Sequence, residues 1–194
     1  MQRLVLASTS PFRRQLLERL GLSFDTRAPG TDEHEIDGEL PAARARRLAI
    51  AKAEACQGPG VVVIGSDQVA ALGERTLHKP GTPDRALEQL MACQGRSVDF
   101  FTGVAVCAGE TTHTHVDHTR VVFRDLPQAS LEYYITRDQP LGCAGGFKAE
   151  GLGITLFTRI ESADPTALIG LPLIWLAGAL RTAGLDPLRP DAYA

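Results

Sequence analysis

The order of apolar and polar residues along the chain predicts alternating strands and helices. Residues 4–7 and 61–64 form short uninterrupted apolar runs, which are typical of strands buried on both faces. After the first run, Ser10 is a favourable N-cap and Pro11 suits the first position of a helix. We expect this helix to end near Gly21.

The same pattern predicts the remaining elements. Four further helices are expected at residues 41–56, 83–93, 127–136 and 172–182. Three further strands are expected at residues 97–107, 111–123 and 154–160, the first two joined by a turn at Gly109 and Glu110. Residues 25–40 are predicted to be acidic and irregular, and residues 142–153 to form a glycine-rich loop.

This order of elements predicts an α/β fold. We expect a mixed central sheet flanked by helices, with antiparallel strands in the second half of the chain, and a cleft between two lobes. A single domain is expected over residues 1–186, followed by a frayed C-terminal tail at residues 187–194.

Composition and charge narrow the functional classes. The chain has 194 residues, 44% hydrophobic and 22% charged, which is ordinary for a globular protein. Its net charge of -3 gives no global positive field for a nucleic acid polymer, so an anionic ligand needs a local basic cluster. No apolar stretch approaches the roughly 20 residues of a membrane span, and we expect a cytoplasmic protein.

Four cysteines are present, at positions 56, 93, 107 and 143. They form no CxxC pair, and their spacing does not suit a zinc site. A disulfide framework is rare in a chain of this size and compartment, so we expect buried free thiols.

The segment Ser8-Thr9-Ser10-Pro11-Phe12-Arg13-Arg14 places two arginines in the first turn of a helix. The N-terminus of a helix carries a partial positive charge and favours anions, so arginines there are explained by a bound polyanion such as a triphosphate. The alternative is a solvated helix face with an ordinary serine cap. The local pattern leaves both interpretations open.

Asp67 directly follows the apolar strand predicted at residues 61–64. A carboxylate in that position is costly unless it is paired, hydrogen-bonded or bound to a metal ion, and ligands bind at the carboxyl ends of strands in open sheets. Asp67 is therefore a candidate general base or metal ligand, against the alternative that it starts a turn. The acidic run at residues 32–35, which contains Glu33, either supplies carboxylates to a divalent ion or is a solvated loop.

Two lysines are candidates for phosphate binding. Lys52 shares a helical stripe with Leu48 and Ala49, so its side chain either extends outward to solvent or points into a pocket. Lys79 precedes Pro80 in a predicted loop and is equally ambiguous. With the two arginines, these lysines would balance a triphosphate and its leaving pyrophosphate.

Two other segments carry weaker signals. Residues 147–151 lie in the glycine-rich loop, which either allows close backbone approach to a ligand or is a flexible connector. His113 and His115 share a strand face with His118 nearby, but no third ligand has suitable spacing for a metal. We therefore expect a solvent-exposed hairpin there.

Taken together, these segments resemble the Maf family of nucleotide pyrophosphatases. The matching segments keep the family's order and span nearly the whole chain. They are LVLASTSPFRR at 4–14, DE at 32–33, LAIAKAEA at 48–55, IGSDQV at 64–69, HKP at 78–80, FFTG at 100–103, CAGGFKAEGLGITLF at 143–157 and LIGLPL at 168–173.

The resemblance implies a Maf/Ham1-like fold and hydrolysis of a nucleoside triphosphate to the monophosphate and pyrophosphate, with Mg²⁺ or Mn²⁺. Carried over position by position, it implies phosphate and substrate binding by Ser8, Arg13, Arg14, Glu33, Lys52 and Lys79. It also implies that Asp67 accepts a proton, and that Glu33 and Asp67 bind the metal ion.

Three positions are associated with substrate choice in the family, and here they hold Phe12, Gln68 and Glu150. This trio resembles the branch that acts on 7-methyl-GTP, whereas the dTTP and UTP branch usually shows arginine, threonine and glutamine. N7-methylated guanine is cationic and stacks on an aromatic face, and Glu150 can accept from guanine N1–H and N2–H. The branch is expected to have tryptophan at position 12, so Phe12 is a departure that keeps a smaller π-face.

Three alternatives stay open at this point. The chain could be a dTTP/UTP pyrophosphatase, which Gln68 and Glu150 oppose. It could be a non-catalytic nucleotide-binding regulator of cell division or septum formation, or an enzyme that discards several modified nucleotides. The expected partner is a nucleoside triphosphate, with no nucleic acid polymer and no membrane, and a homodimer is left open.

Overall fold

The structure is a computed structural model that describes residues 2–189 and contains seven strands and five α-helices in that range. The strands are β1 (Arg3–Ala7), β2 (Phe24–Thr26), β3 (Val61–Leu72), β4 (Arg75–Leu77), β5 (Ser97–Ala108), β6 (Thr111–Phe123) and β7 (Phe157–Ser162). The helices are α1 (Pro11–Glu18), α2 (Pro41–Glu54), α3 (Pro83–Cys93), α4 (Gln128–Asp138) and α5 (Leu173–Thr182).

The strands form one seven-stranded mixed sheet of order β2-β1-β3-β5-β6-β7, with β4 paired to β3. Strand β1 runs parallel to both β2 and β3, whereas β4 runs antiparallel to β3 and β7 antiparallel to β6. The predicted α/β fold with a mixed central sheet and antiparallel strands in the second half is confirmed.

The prediction that Asp67 follows the end of a strand is wrong, because β3 continues to Leu72 and Asp67 lies inside it. The polar residues do not end the strand because their side chains have partners. The Ser66 hydroxyl lies 2.9 Å from the Gly103 carbonyl oxygen, and Asp67 Oδ1 lies 2.6 Å from Lys52 Nζ. Satisfied polar groups can be buried in a strand, and the apolar residues that follow extend it.

Smaller differences concern short elements. Strands β2 and β4, each of three residues, were not expected from the sequence. Strand β7 begins at Phe157 instead of residue 154, because Leu152–Leu156 forms a 3-10 turn. The predicted glycine-rich loop also contains a 3-10 turn at Ala144–Gly146, and another turn, Pro140–Gly142, ends at its first residue.

The chain divides into two compact units. The described residues of the first unit are 2–67, 102–117 and 164–189, and those of the second are 68–101 and 118–163. Two units agree with the two predicted lobes, whereas the cleft and the domain boundary at 186 stay predictions. Of the predicted tail, residues 190–194 lie outside the described range, and the backbone N–H groups of Leu188 and Arg189 donate to Asp186.

Two further expectations concern the described chain. None of its helices combines the length and apolar character that crossing a bilayer requires. All four cysteines in this range are free thiols, as expected. Cys56, Cys93 and Cys107 are buried as predicted, whereas Cys143 is only half-buried.

The alternation of side chains along β3 divides the core of the first unit into two clusters. Val62 and Ile64 join a cluster with residues of α1 and α5, whereas Val61 and Val63 join a second cluster with residues of α2. Successive side chains of a strand point to opposite faces of the sheet. Helix α2 therefore covers one face of this part of the sheet, and α1 and α5 cover the other.

Two glycines bring the backbone of α2 directly onto the strands. A Cβ atom on Gly65 of β3 would lie 2.2 Å from the Ala49 carbonyl oxygen and 2.6 Å from the Ala53 nitrogen. A Cβ atom on Gly103 of β5 would lie 2.2 Å from the Ala45 carbonyl oxygen. These separations are far below van der Waals contact, so a side chain at either position would push the helix away from the sheet.

Gly65→Ala is expected to lower the free energy of unfolding by about 3 kcal/mol, because overpacking against backbone atoms cannot be relieved by a change of rotamer. Urea unfolding would measure the loss. Gly178→Ala is the matched control: Gly178 is exposed in α5 with no atom within 4 Å of an added Cβ. There the better helix propensity of alanine should raise stability by up to about 1 kcal/mol. Equal stability of Gly65→Ala and wild type would contradict the packing argument.

Candidate active site

Lys52 lies between two carboxylates in the first unit. Its Nζ atom is 2.6 Å from Asp67 Oδ1 and 2.7 Å from Glu33 Oε1. Lys52 and Asp67 are buried, whereas the Glu33 side chain is 55% exposed. Of the two interpretations open for Lys52, the structure supports the inward one. Charges that leave water must be paired, and Lys52 and Asp67 satisfy each other.

The pairing follows from the local sequence. Asp67 is two residues beyond Gly65, so both point to the face of β3 that α2 covers. Lys52 lies three residues after Ala49, so it shares the face of α2 whose backbone contacts Gly65. The contact of α2 with the strand at Gly65 therefore places the Lys52 side chain next to Asp67.

Two arginines of α2 bind the acidic segment that carries Glu33. Arg44 pairs with Glu35 and also donates to the Glu33 carbonyl oxygen at 3.3 Å. Arg47 donates to both carboxylate oxygens of Glu39, at 2.7 and 2.6 Å. Because bidentate charge-assisted bonds are the strongest of their kind, the segment has a defined course along α2 and delivers Glu33 to Lys52.

Arg13 belongs to the same cluster of charges. Its Nε atom donates to the Gly170 carbonyl oxygen at 2.9 Å, and Ser10 caps α1 by accepting from the Arg13 backbone N–H at 3.4 Å. Burial lowers the pKa of Arg13, and the carboxylates of Asp67 and Glu33 act in the opposite direction. The guanidinium keeps its charge at neutral pH, because arginine is not deprotonated in proteins.

The other predicted residues of the first unit occupy distinct positions. Ser8 is buried, and its hydroxyl accepts from the Ser10 backbone N–H at 3.1 Å, which fixes the turn between β1 and α1. Phe12 is half-buried. Arg14 is exposed and pairs with Glu18 at 3.0 Å on the outer face of α1, where it does not join the charge cluster. The phosphate-binding roles of Ser8 and Arg14 stay predictions.

The predicted residues of the second unit are Gln68, Lys79 and Glu150. Gln68 is half-buried, whereas Lys79 and Glu150 are exposed. Lys79 and Glu150 both act on the Cys143 thiol: burial raises its pKa, Glu150 raises it further, and Lys79 lowers it. Lys79 and Glu150 therefore lie on one part of this unit, and their roles stay predictions.

Helix α4 fixes the glycine-rich segment that carries Glu150. The Tyr134 hydroxyl accepts from the Lys148 backbone N–H at 2.9 Å, and Asp138 Oδ2 accepts from the Gly153 backbone N–H at 3.2 Å. Phe147 is buried and packs edge-on against neighbouring phenylalanines. These contacts oppose the alternative that the segment is a flexible connector.

Two of the three histidines of β6 contact other side chains of the protein. His118 lies 2.7 Å from Asp99, and His115 stacks on Trp175 with ring centroids 5.4 Å apart. Among residues 2–189, no three His, Cys, Asp or Glu side chains gather closely enough to bind a metal ion on their own. Strands β5 and β6 pair in the sheet, so the predicted hairpin is confirmed, whereas the absence of a metal at these histidines stays a prediction.

Sequence reasoning missed several residues that shape the cluster. Arg44 and Arg47 were not singled out, although the acidic run at 32–35 is followed by a helix with four cations, at positions 44, 46, 47 and 52. That charge complementarity was a usable signal. Ser66 and Gly170 carried no such signal, because their contacts join residues 104 positions apart.

The fold and the cluster define an α/β protein in which a buried lysine joins two carboxylates beside an arginine. A family model described as "Maf-like protein" matches residues 3–183. The chain therefore belongs to the Maf family.

Similar proteins include two curated relatives. A 7-methyl-GTP pyrophosphatase from Xanthomonas oryzae pv. oryzae is 53% identical over 186 residues, which cover 95% of this chain and 98% of that protein. A 7-methyl-GTP pyrophosphatase from Chromohalobacter salexigens is 50% identical over 194 residues, which cover 97% of this chain and 100% of that protein. A solved HAM1 protein from Coxiella burnetii matches 66% of this chain and 75% of its own, with a TM-score of 0.41 and 15% identity.

Glu39→Gln is expected to destabilise the protein at neutral pH but not in acid. The hydrogen bond from Arg47 lowers the pKa of Glu39 below its ordinary value. The stabilisation is therefore complete above the unfolded pKa, about 4.3, and is lost as the pH falls through the lower folded pKa. Urea unfolding from pH 7 to pH 3 would show the gap between wild type and variant closing.

Glu74→Gln serves as the control, because Glu74 is exposed in the turn between β3 and β4. Its difference from wild type should be small at every pH. If Glu39→Gln loses the same free energy of unfolding at every pH from 7 to 3, the ionic contribution of the Arg47 contact is contradicted.

Proposed function

We propose that this protein is a nucleoside triphosphate pyrophosphatase that hydrolyses 7-methyl-GTP to 7-methyl-GMP and diphosphate. One observation carries the proposal: Lys52 contacts both Asp67 and Glu33, and Arg13 lies in the electrostatic field of the same two carboxylates. Such a cluster combines a buried base with fixed cations. Membership of the Maf family and the names of its relatives support this reaction.

Asp67 is the proton acceptor in this proposal. A water molecule attacks the α-phosphorus, the bond from that phosphorus to the bridging oxygen breaks, and pyrophosphate leaves. The proton that the water loses goes to the Asp67 carboxylate. Burial of Asp67 and its 2.6 Å contact with Lys52 fix the direction of the carboxylate before the substrate binds.

Arg13 and Lys52 stabilise the charge that develops on the phosphate oxygens. Both cations are oriented by protein contacts, so little reorganisation is needed when the substrate arrives. Ser8, Arg14 and Lys79 complete the phosphate contacts in this proposal. Hydrolysis of a phosphoanhydride depends mainly on such positioning and on electrostatic stabilisation.

The carboxylates fit a divalent cation. Glu33 and Asp67 are oxygen donors whose carboxylates share one ammonium nitrogen, and Mg²⁺ typically takes one or two protein carboxylates together with substrate phosphates. We therefore propose that Glu33 and Asp67 hold Mg²⁺ or Mn²⁺. Such an ion, when bound, supplies further neutralisation of the phosphate charge.

Base recognition is assigned to Phe12, Gln68 and Glu150. Glu150 accepts from the N1–H and N2–H groups of guanine, a pair of donors that thymine and uracil do not offer. Phe12 offers its π-face to the cationic 7-methylguanine ring. This assignment opposes the alternative that dTTP and UTP are the substrates.

The setting of the reaction is also part of the proposal. We infer that the protein acts in the cytoplasm on a free nucleotide, without a nucleic acid polymer or a membrane as partner. A homodimer is the oligomeric state to test, and light scattering of the purified protein would decide it.

Asp67→Asn is expected to lower kcat for 7-methyl-GTP by at least about 100-fold while nucleotide affinity is largely kept, because the amide cannot accept the proton. Pyrophosphate release with 7-methyl-GTP, GTP, dTTP and UTP in the presence of Mg²⁺ or Mn²⁺ gives turnover, and calorimetry gives affinity. Asp125→Asn, an exposed aspartate after β6, should leave turnover unchanged. Wild-type binding without turnover would instead favour the non-catalytic regulator.

Glu150→Gln is expected to lower 7-methyl-GTP turnover at least about ten-fold, because a site built to accept two donors loses one acceptor. Affinity for inorganic tripolyphosphate, which has no base, should stay unchanged. Exposed Glu132 of α4 provides a matched control as Glu132→Gln. An unchanged 7-methyl-GTP rate in Glu150→Gln would remove this residue from base recognition.

A further inference from the structure

The Gly170 carbonyl oxygen accepts two hydrogen bonds from side chains of different elements. Arg13 Nε of α1 donates to it at 2.9 Å, and the Ser66 hydroxyl of β3 lies 2.8 Å from it. A carbonyl oxygen has two lone pairs, so both bonds can form together. Gly170 therefore connects α1 with the strand that carries Asp67.

Ser66 is the side chain that fixes this carbonyl from inside the protein. It is fully buried, at 0% exposure, and its hydroxyl lies between the carbonyl oxygens of Gly103 and Gly170. A hydroxyl has one hydrogen, which these two acceptors share. Because side chains alternate along a strand, Ser66 points away from α2 and toward the face that α1 and α5 cover.

The segment around Gly170 is held firmly on its other side. Thr166 Oγ1 lies 2.6 Å from Asp164 Oδ1 and 2.9 Å from the Leu171 carbonyl oxygen, two acceptors that share its one hydrogen, and it accepts from the Leu173 backbone N–H at 2.9 Å. Asp164 Oδ2 accepts from the Ile174 backbone N–H at 2.7 Å. These contacts fix both flanks of Gly170, and Ser66 fixes the direction of its carbonyl.

Arg13 depends on this arrangement. The bond to Gly170 uses Nε, which leaves the N–H groups of the two terminal nitrogens as the donors that a phosphate needs. A Cβ atom on Gly170 would lie 3.3 Å from Arg13 Nε, and Gly170 has a φ of 121° that favours glycine. A side chain at position 170 would therefore displace the Arg13 guanidinium, whereas glycine leaves it in place.

We propose that Ser66 is a positioning residue for Arg13 and acts through the Gly170 carbonyl. It touches no substrate; it determines where the guanidinium points. The inference rests on the proposed function, because it assigns Arg13 the binding of the triphosphate.

A double-mutant cycle between Ser66→Ala and Arg13→Lys tests the connection. Lysine keeps the positive charge but has a single side-chain nitrogen. It therefore cannot donate to the Gly170 carbonyl oxygen through one nitrogen and bind the phosphate through another, as arginine can. Ser66→Ala alone should lower kcat for 7-methyl-GTP by about ten- to one-hundred-fold with a smaller change in KM, because a small misplacement of a catalytic group is costly. In the Arg13→Lys background the same substitution should change kcat by less than about two-fold.

Equal fold-losses from Ser66→Ala in both backgrounds would overturn the proposal, since a purely structural effect does not depend on the residue at position 13. An unchanged kcat in Ser66→Ala alone would overturn it as well. Thr119→Val is the matched control: Thr119 is fully buried, and its hydroxyl bonds Ser162 Oγ at 2.8 Å. The Thr119→Val variant should have a lower melting temperature than wild type and the same kcat.

Two additions keep the test decisive. If Ser66→Ala fails to fold, Ser66→Cys fills the same space with a weaker donor, and the cycle is measured with it. The affinity of inorganic tripolyphosphate, measured in all four proteins of the cycle, reports on Arg13 without any turnover. If the two substitutions are coupled in tripolyphosphate affinity but wild type shows no turnover, the inference stands and the proposed function fails. If their effects on this affinity are additive, the inference is overturned.

Discussion

The close contact between α2 and the strands at Gly65 and Gly103 is the constraint on which the candidate site depends. With backbone atoms 2.2 Å from where a Cβ would lie, only glycine allows the helix to approach this closely. That approach lets the Lys52 side chain reach Asp67, which lies on the same face of β3 as Gly65. Arg44 and Arg47 of the same helix bind the segment that carries Glu33.

The buried charges are better explained by chemistry than by stability. Replacing a buried ion pair with apolar residues of similar volume is often neutral or stabilising, so a buried pair alone is weak support for a stabilising role. Lys52 contacts two carboxylates, one buried and one 55% exposed, and a guanidinium lies in the same field. A cluster of alternating charges with an exposed carboxylate at Glu33 suits a polyanion with its counterions.

The sequence was most informative where local physics determines the structure. The serine cap at Ser10, the proline starts of α2 and α3, and the hairpin at Gly109 follow from backbone preferences that act over a few residues. The continuation of β3 past Asp67 could not be foreseen, because it depends on a lysine 15 positions away. The two arginines of α1 looked equivalent in the sequence, although the pairing of Arg14 with Glu18 is a local i,i+4 contact. The contact that separates Arg13 from Arg14 is the bond to Gly170, which lies 157 positions further along the chain.

Strand alternation gives the two neighbouring polar residues of β3 different partners. Asp67 faces α2 and meets Lys52, whereas Ser66 faces the opposite side and meets the Gly170 carbonyl, to which Arg13 also donates. A shift of one residue in the register of β3 would exchange these partners and leave the carboxylate facing an apolar cluster. The register of β3 against β1, in which Val63 lies opposite Val5, therefore fixes the base and the guanidinium at the same time.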